Sequence, residues 1–351
     1  MPDSRMTAPA DAAGSGAEPP SEPSSEPSSA APSAPPGHRA LAVAGRVVAG
    51  RLFRWAFVLV AVGLACYAVA AHWPAIRTAL GELGFWPLAA GMLSVLAALA
   101  TTVQMWRLLL ASMGSPLPLK AAARIMLVGQ IGKYLPGSIW PVLAQMELGR
   151  DYHVPRSRSA SASVLVMLLT LIAGLLTALV TLPFAAGAMP YRWALLATPL
   201  LLVLLYPPVL NAVIGWLLRL ARQSPLEQPL TGGALVRAMG WSFATWICYG
   251  LQIWILATRL GAPAGKTALI AIGGFAFAWS VGFIVVFAPA GAGVRDVLLL
   301  VLLGSVLRTA DAAAVVLVSR VLTTAADLLS AAVAARFVRR PSAEADPPPP
   351  G

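Results

Sequence analysis

"FIVVFAPAGAGVRDVLLLVLLG", residues 283–304, decides how this chain is read. The stretch is apolar and long enough to enter a bilayer, yet proline and glycine interrupt it, and Arg295 and Asp296 follow at once. Proline removes a backbone donor and glycine weakens a helix. The stretch therefore predicts two helices meeting at a break over Pro289, Gly291 and Gly293. A charged pair beside such a break needs a reason, because ionisable groups at membrane depth are costly unless they are paired or face a cavity.

The rest of the chain supplies the membrane. Its 351 residues are 58% hydrophobic and 11% charged, against about 25% charged in soluble proteins. Apolar runs long enough to cross as helix recur along it, which predicts an all-α polytopic membrane protein rather than a barrel. The net charge of +11 lies in basic residues that flank apolar runs, so the expected partner is an anionic leaflet and not nucleic acid. Cys66 and Cys248 lie inside apolar segments and predict no disulfide framework. His38, His72 and His153 have no ligands at metal spacing, so neither a metal nor a cofactor is expected. Residues 1–37 are rich in Pro, Ser, Ala and Glu without an aromatic residue and read as a disordered cytoplasmic tail; residues 339–351 read as a second short one. The first apolar run follows a long polar tail and several arginines, which predicts a retained anchor rather than a cleaved leader.

Between the tails lies a membrane domain over 50–338. Full-length spans are expected near 55–72, 85–106, 159–183, 192–218, 238–258 and 311–335, and six crossings place both termini on one side. Two further apolar regions, 120–149 and 267–307, are broken by "YLPGSIWP" and "FAPAGAG", so each is expected to form a hairpin of short helices. Counting Lys and Arg beside the spans gives 17 on the side of the termini against 6 on the other, which places both termini in the cytoplasm. The order span, span, broken region, span occurs twice, over 55–183 and 192–335. Three crossings in the first half invert the second. From Pro136 to Ser159 is 23 positions and from Pro289 to Asp311 is 22, so the spacing agrees as well. Inverted repeats with breaks at corresponding places point to a substrate site near the midplane.

Few residues could carry chemistry there. Arg320, Thr324 and Asp327 share one helical face, with Ser319 and Thr323 beside it. The simplest arrangement pairs Asp296 with Arg320 and Asp327 with Arg295. Such a patch could hold helices together, or meet a substrate beside freed backbone amides. In the first broken region Lys133 and Glu147 stand on opposite arms of the break at Pro136 and Gly137, with Gln130 and Gln145 near them; Lys133 could simply snorkel to the headgroups. The tryptophans, among them Trp86, Trp140, Trp216 and Trp241, read mostly as an interfacial belt. No catalytic triad, P-loop or HExxH motif appears, so no enzyme is expected.

The two breaks, "GQIGKYLPGSIWPVLAQMELGRD" (129–151) and "PAGAGVRD" (289–296), resemble the paired signatures of the lysylphosphatidylglycerol synthase transmembrane-region family, also called flippase-like domain proteins. Pro289, Gly291, Gly293, Val294 and Arg295 match the more specific motif, with Asp296 where the family has glutamate. Leu135, Pro136 and Gly137 match the other. The resemblance covers roughly 50–338 and implies the membrane module alone, without the aminoacyl-transferase domain, engaged in moving or handling lipids. Arg295 and Arg320 would meet an anionic headgroup, that of an anionic phospholipid or a polyprenyl-linked substrate, and Asp296 and Asp327 would orient the guanidiniums or take up a coupling proton. Two other readings stand beside this one: a scaffold or accessory subunit for a membrane enzyme that transfers sugars or lipids, and an intramembrane lipid-modifying enzyme with Asp296 as base.

Overall fold

The computed structural model describes residues 77–78, 81–134, 139–185, 203, 206, 208–209, 211–212, 215–216, 231–284 and 293–337. The expected tails, the first span over 55–72, most of the span over 192–218, and Pro136, Gly137, Pro289 and Gly291 lie outside them. The described helices belong to a single unit, Phe53–Gly351. They are α1 (Phe85–Ser112), α2 (Leu119–Gln130), a 3-10 turn (Ile131–Tyr134), α3 (Trp140–Arg150), α4 (Arg156–Ala185), α5 (Gly232–Arg259), α6 (Ala264–Ile284), α7 (Val294–Leu303) and α8 (Thr309–Ala335). Among the described residues there is no strand.

Four helices, α1, α4, α6 and α8, are long and apolar enough to cross a membrane. Three coincide with spans read from the sequence. The fourth is a correction: α6 was expected to be a short arm of the second broken region, yet it runs 21 residues, about 31 Å of helix. Its partner arm α7 has only 10 residues, whereas α2 and α3 have 12 and 11. No ionisable residue follows Lys266 in α6, so nothing in its side chains ends the helix before the Pro-Gly segment.

Close approach of small residues holds the helices together, as expected where the solvent is as apolar as the core. The Ser94 hydroxyl donates to the Cys248 carbonyl at 2.6 Å, and Thr101 shares a 2.8 Å hydroxyl bond with Thr245, so α1 and α5 run antiparallel. Trp246 Nε1 donates to the Thr170 carbonyl at 3.1 Å, and Ser242 packs beside Leu169, which sets α4 parallel to α5. Val95 and Leu99 cluster with Ala326, and Gly91 faces Leu322, so α8 runs parallel to α1. Arg158 Nη1 donates to the Gly114 carbonyl at 3.1 Å and to Ser115 Oγ at 3.0 Å, joining the end of α1 to the start of α4. The hairpin of α2, the 3-10 turn and α3 therefore returns to the end it left from. The same holds for α6 and α7, since α5 and α8 run in opposite directions.

The pairings obey a rule. Under the exchange of α1 with α5, α2 with α6, α3 with α7 and α4 with α8, the contact of α4 with α6 becomes that of α8 with α2, and α3 with α4 becomes α7 with α8. The contact of α1 with α8 likewise becomes that of α5 with α4.

The tryptophans divide. Trp86 is exposed, as an interfacial residue would be, whereas Trp106 and Trp246 are buried in the core. Leu93, Val180, Ile247, Val301 and Leu329 point outward and form apolar surface suited to acyl chains.

Gly250 lies against backbone: a Cβ there would stand 2.5 Å from the Ile272 Cα, whereas one at Gly240 would meet nothing within 4 Å among the described residues. Gly250→Val is expected to destabilise the folded protein by about 2–3 kcal/mol, and Gly240→Val by under about 1. Thermal unfolding of the two variants in detergent checks this, and equal melting temperatures would refute the packing assignment.

Candidate functional site

Both hairpin ends meet α8. Over Ile131–Tyr134 the first arm tightens from α-helix to a 3-10 turn, just before Leu135-Pro136, a dipeptide through which an α-helix does not readily continue. From this turn Lys133 Nζ reaches Asp327 Oδ2 at 2.7 Å, and the Tyr134 hydroxyl donates to the same oxygen at 2.7 Å. Asp327 is 3% exposed and Lys133 about a third exposed. Here the expected pairing is corrected: Asp327 is met by Lys133 and Tyr134, and not by Arg295. The spacing of residues on α8 places Asp327 on the right face but says nothing about which hairpin reaches it.

On the other hairpin, Gly293 caps α7 at φ 90°, a backbone conformation that glycine adopts without the penalty of a Cβ. Among the described residues nothing crowds that position, and its conformation calls for glycine. Asp296 Oδ2 accepts from the Gly293 N–H at 3.2 Å, the return half of a capping box, in which a residue three positions into the helix satisfies the cap's own N–H. Its other oxygen, Oδ1, stands 3.5 Å from Arg295 Nε and 3.8 Å from Arg320 Nη1. The pairing of Asp296 with Arg320 is as the sequence suggests, and Arg295 joins it.

These last contacts are ion pairs without being hydrogen bonds. Arg295 Nε and Asp296 Oδ1 are both buried, and neither has a hydrogen-bond partner among the described residues. The carboxylate thus holds the two guanidiniums by Coulomb attraction only. The Arg295 side chain is 10% exposed, and its Cζ lies 5.4 Å from the centre of the Phe275 ring, a cation–π contact that offsets part of its desolvation. Phe275 is stacked in turn on Tyr249. A donor that is buried, charged and unbonded at the start of a helix is suited to an anion.

Glu147 stands apart, held by Arg150 at 2.9 Å and Arg156 at 3.0 Å near the end of α3, and it makes no ion pair with Lys133. Gln145 is structural: buried between α2 and α4, it accepts from the Ser163 hydroxyl, donates to Met126 Sδ and fills the space beside Gly129. Gln252 of α5 clasps Ser319 of α8. Sequence reasoning missed Tyr134, Phe275 and Gln252. Gln252, an amide within an apolar run, carried a signal. Tyr134 offered only its place beside Lys133, and Phe275 offered none. Among the described residues no group of three His, Cys, Asp or Glu could hold a metal.

The arrangement sits inside a match to a known family: the model of the lysylphosphatidylglycerol synthase transmembrane region covers residues 43–331. The chain belongs to the lysylphosphatidylglycerol synthase transmembrane-region family. Lys133, Gly293, Arg295, Asp296, Arg320 and Asp327 all fall within the matched region. No curated protein matches the chain. As a member of the lysylphosphatidylglycerol synthase transmembrane-region family, it is a multi-pass membrane protein related to lipid handling.

The Lys133 to Asp327 bridge gives a direct test of the site's geometry. Asp327→Ala leaves a lysine without its carboxylate and a tyrosine hydroxyl without its acceptor, and is expected to cost about 2–4 kcal/mol. Exchanging the charges, Lys133→Asp with Asp327→Lys, is expected to recover at least about half of that loss. Melting temperatures of the single and double variants read it, and a double variant no better than Asp327→Ala would show that the two side chains do not pair.

Proposed function

We propose that the protein carries a lipid with an anionic headgroup across the cytoplasmic membrane, with Arg295 and Arg320 meeting the phosphate. One observation supports this above the others: a buried Arg295 Nε without a hydrogen bond, at the start of α7, beside a second guanidinium on α8. Two guanidiniums at a helix N-terminus match phosphate chemistry, since each offers paired donors in a plane and the backbone amides add their own. Asp296 orients them, and Asp327 fixes the other hairpin end through Lys133 and Tyr134.

The proposed topology is six full spans with two broken hairpins in two inverted halves. Its support is the pairing rule that exchanges α1–α4 with α5–α8, together with the antiparallel run of α1 and α5. Each break then approaches α8 from a different membrane face. Orientation follows from the basic residues: Arg107, Lys120, Arg124, Arg150, Arg156 and Arg158 flank the α1–α2 and α3–α4 junctions, and Tyr152 donates to the Phe337 carbonyl, bringing the end of α8 there too. We assign that end, and both termini, to the cytoplasm. In this reading the protein moves its lipid without chemical change, with the carboxylates of Asp296 and Asp327 serving as cap and counter-ions.

Reconstitution into liposomes with labelled phosphatidylglycerol tests the proposal. Wild-type protein is expected to speed transbilayer movement over protein-free liposomes. Arg295→Ala and Arg320→Ala are each expected to slow it by roughly tenfold or more, the size of losing one charge-assisted contact. Equal rates for wild type and Arg295→Ala would overturn the mechanism. Normal transport with loss of a co-purifying membrane enzyme in the variants would favour the scaffold reading.

A further inference from the structure

The ion pair between the 3-10 turn and α8 joins two side chains of unequal exposure. Asp327 is 3% exposed, while Lys133, at 2.7 Å from it, is 32% exposed. Among the described residues, the two groups that contact the Asp327 carboxylate, Lys133 Nζ and the Tyr134 hydroxyl, both lie on the turn and both meet Oδ2. The other elements packed on α8 offer no cation to replace them. α1 has no ionisable side chain from Phe85 to Trp106. α2 carries Lys120 and Arg124, and Arg124 donates to the Tyr152 hydroxyl at 3.3 Å. α5 brings Cys248 and Tyr249 near this level, both neutral near pH 7. On α7, Arg295 faces Asp296, which also meets Arg320 of α8, seven residues before Asp327. Withdrawal of the turn therefore leaves two unlike charges. Lys133 remains an ammonium, because its stem can extend to water or headgroups. Asp327 has no such route, and a buried carboxylate without a counter-ion is neutralised rather than left charged.

We propose that Asp327 is a proton-binding site whose occupancy is linked to the docking of the first hairpin on α8. With the turn docked, the carboxylate is ionised and held by Lys133 and Tyr134. With the turn withdrawn, Oδ2 carries a proton taken from water. The exchange balances: one proton enters, one O–H bond forms, the ion pair breaks, and Lys133 keeps its own proton. The withdrawn form binds one proton more than the docked form, so acid favours withdrawal and alkali favours docking. Asp296 is unsuited to this role. The Gly293 N–H and Arg295 belong to its own helix and its cap, so movement of α7 carries those partners along with it. The linkage stands on these contacts whether or not a lipid is carried; in a carrier it ties movement of the hairpin to the proton gradient.

The test uses the full chain in neutral detergent with Cys66→Ser, Cys248→Ser and Gln130→Cys, the last carrying a nitroxide spin label at the partly exposed end of α2. The nitroxide has no titrating group of its own, so a change of its mobility with pH reports the turn. Between about pH 8 and about pH 5 the mobile fraction is expected to rise reversibly as pH falls, its equilibrium constant by up to about tenfold per pH unit, the limit for one proton. Asp327→Asn, which stands in for the protonated carboxyl, is expected to leave the label mobile at every pH. If that variant folds poorly, Lys133→Gln serves instead and should also flatten the profile, since neither form then holds an ionised carboxylate. Helix content by circular dichroism, read on the same samples, is expected to stay constant. A label indifferent to pH, a profile that persists in both variants, or mobility that rises only as helix content falls would overturn the proposal. Lipid movement is judged separately in liposomes: its absence would end the carrier reading and leave the proton linkage standing.

Discussion

A charged side chain among apolar helices is costly until it finds a partner, and this constraint organises the described part of the molecule. The turn at Ile131–Tyr134 and the start of α7 at Gly293 both bring polar groups to α8. That helix can receive them because it alone among the four apolar spans has a charged face at depth, with Arg320 and Asp327 seven residues apart and Thr324 between them. One hairpin presents a carboxylate to Arg320, the other an ammonium and a hydroxyl to Asp327. The opposed signs on α8 thus give each hairpin its own docking point.

The rest of the bundle brings these ends to their places. Hydroxyls and glycines at Gly91, Ser94, Thr101, Thr245 and Gly250 draw α1 and α5 together and keep α6 close, while Gly174 and Gly273 do the same between α4 and α6. The pairings are near-symmetric, but the chemistry is not. α4, which holds in the first half the place that α8 holds in the second, offers serines and glycines to its neighbours where α8 offers charge: Ser163 serves Gln145 and Trp106. Corresponding helix pairings therefore carry charge on one side only.

The sequence carried much of this in plain view. Hydropathy announced α1, α4, α5 and α8, and glycine announced the start of α7 at Gly293, because those signals act through local backbone physics. Arg295, Asp296 and Arg320 were legible as a group, since charge at depth demands a partner and few partners exist. The partner of Asp327 was not legible. It depends on how far the first hairpin penetrates and on the tightening to a 3-10 turn, which decides where Lys133 and Tyr134 point; neither is a property of spacing along the chain. The length of α6 escaped for a related reason, because the Pro-Gly segment marks where a break occurs and not how long each arm before it runs. Glu147, read beside Lys133 from its place on the opposite arm, is instead claimed by Arg150 and Arg156.

Asp296 has two oxygens and two employments. One fastens the first turn of α7 to its own cap, and the other steadies a pair of cations. Both hang from one carboxyl group that turns as a rigid plane about a single bond. Rotation that brings Oδ1 nearer to either guanidinium carries Oδ2 away from the Gly293 N–H, and a newcomer that releases Oδ1 lets Oδ2 settle. The carboxyl group behaves as a small balance beam, with the winding of a helix on one pan and the occupancy of two cations on the other.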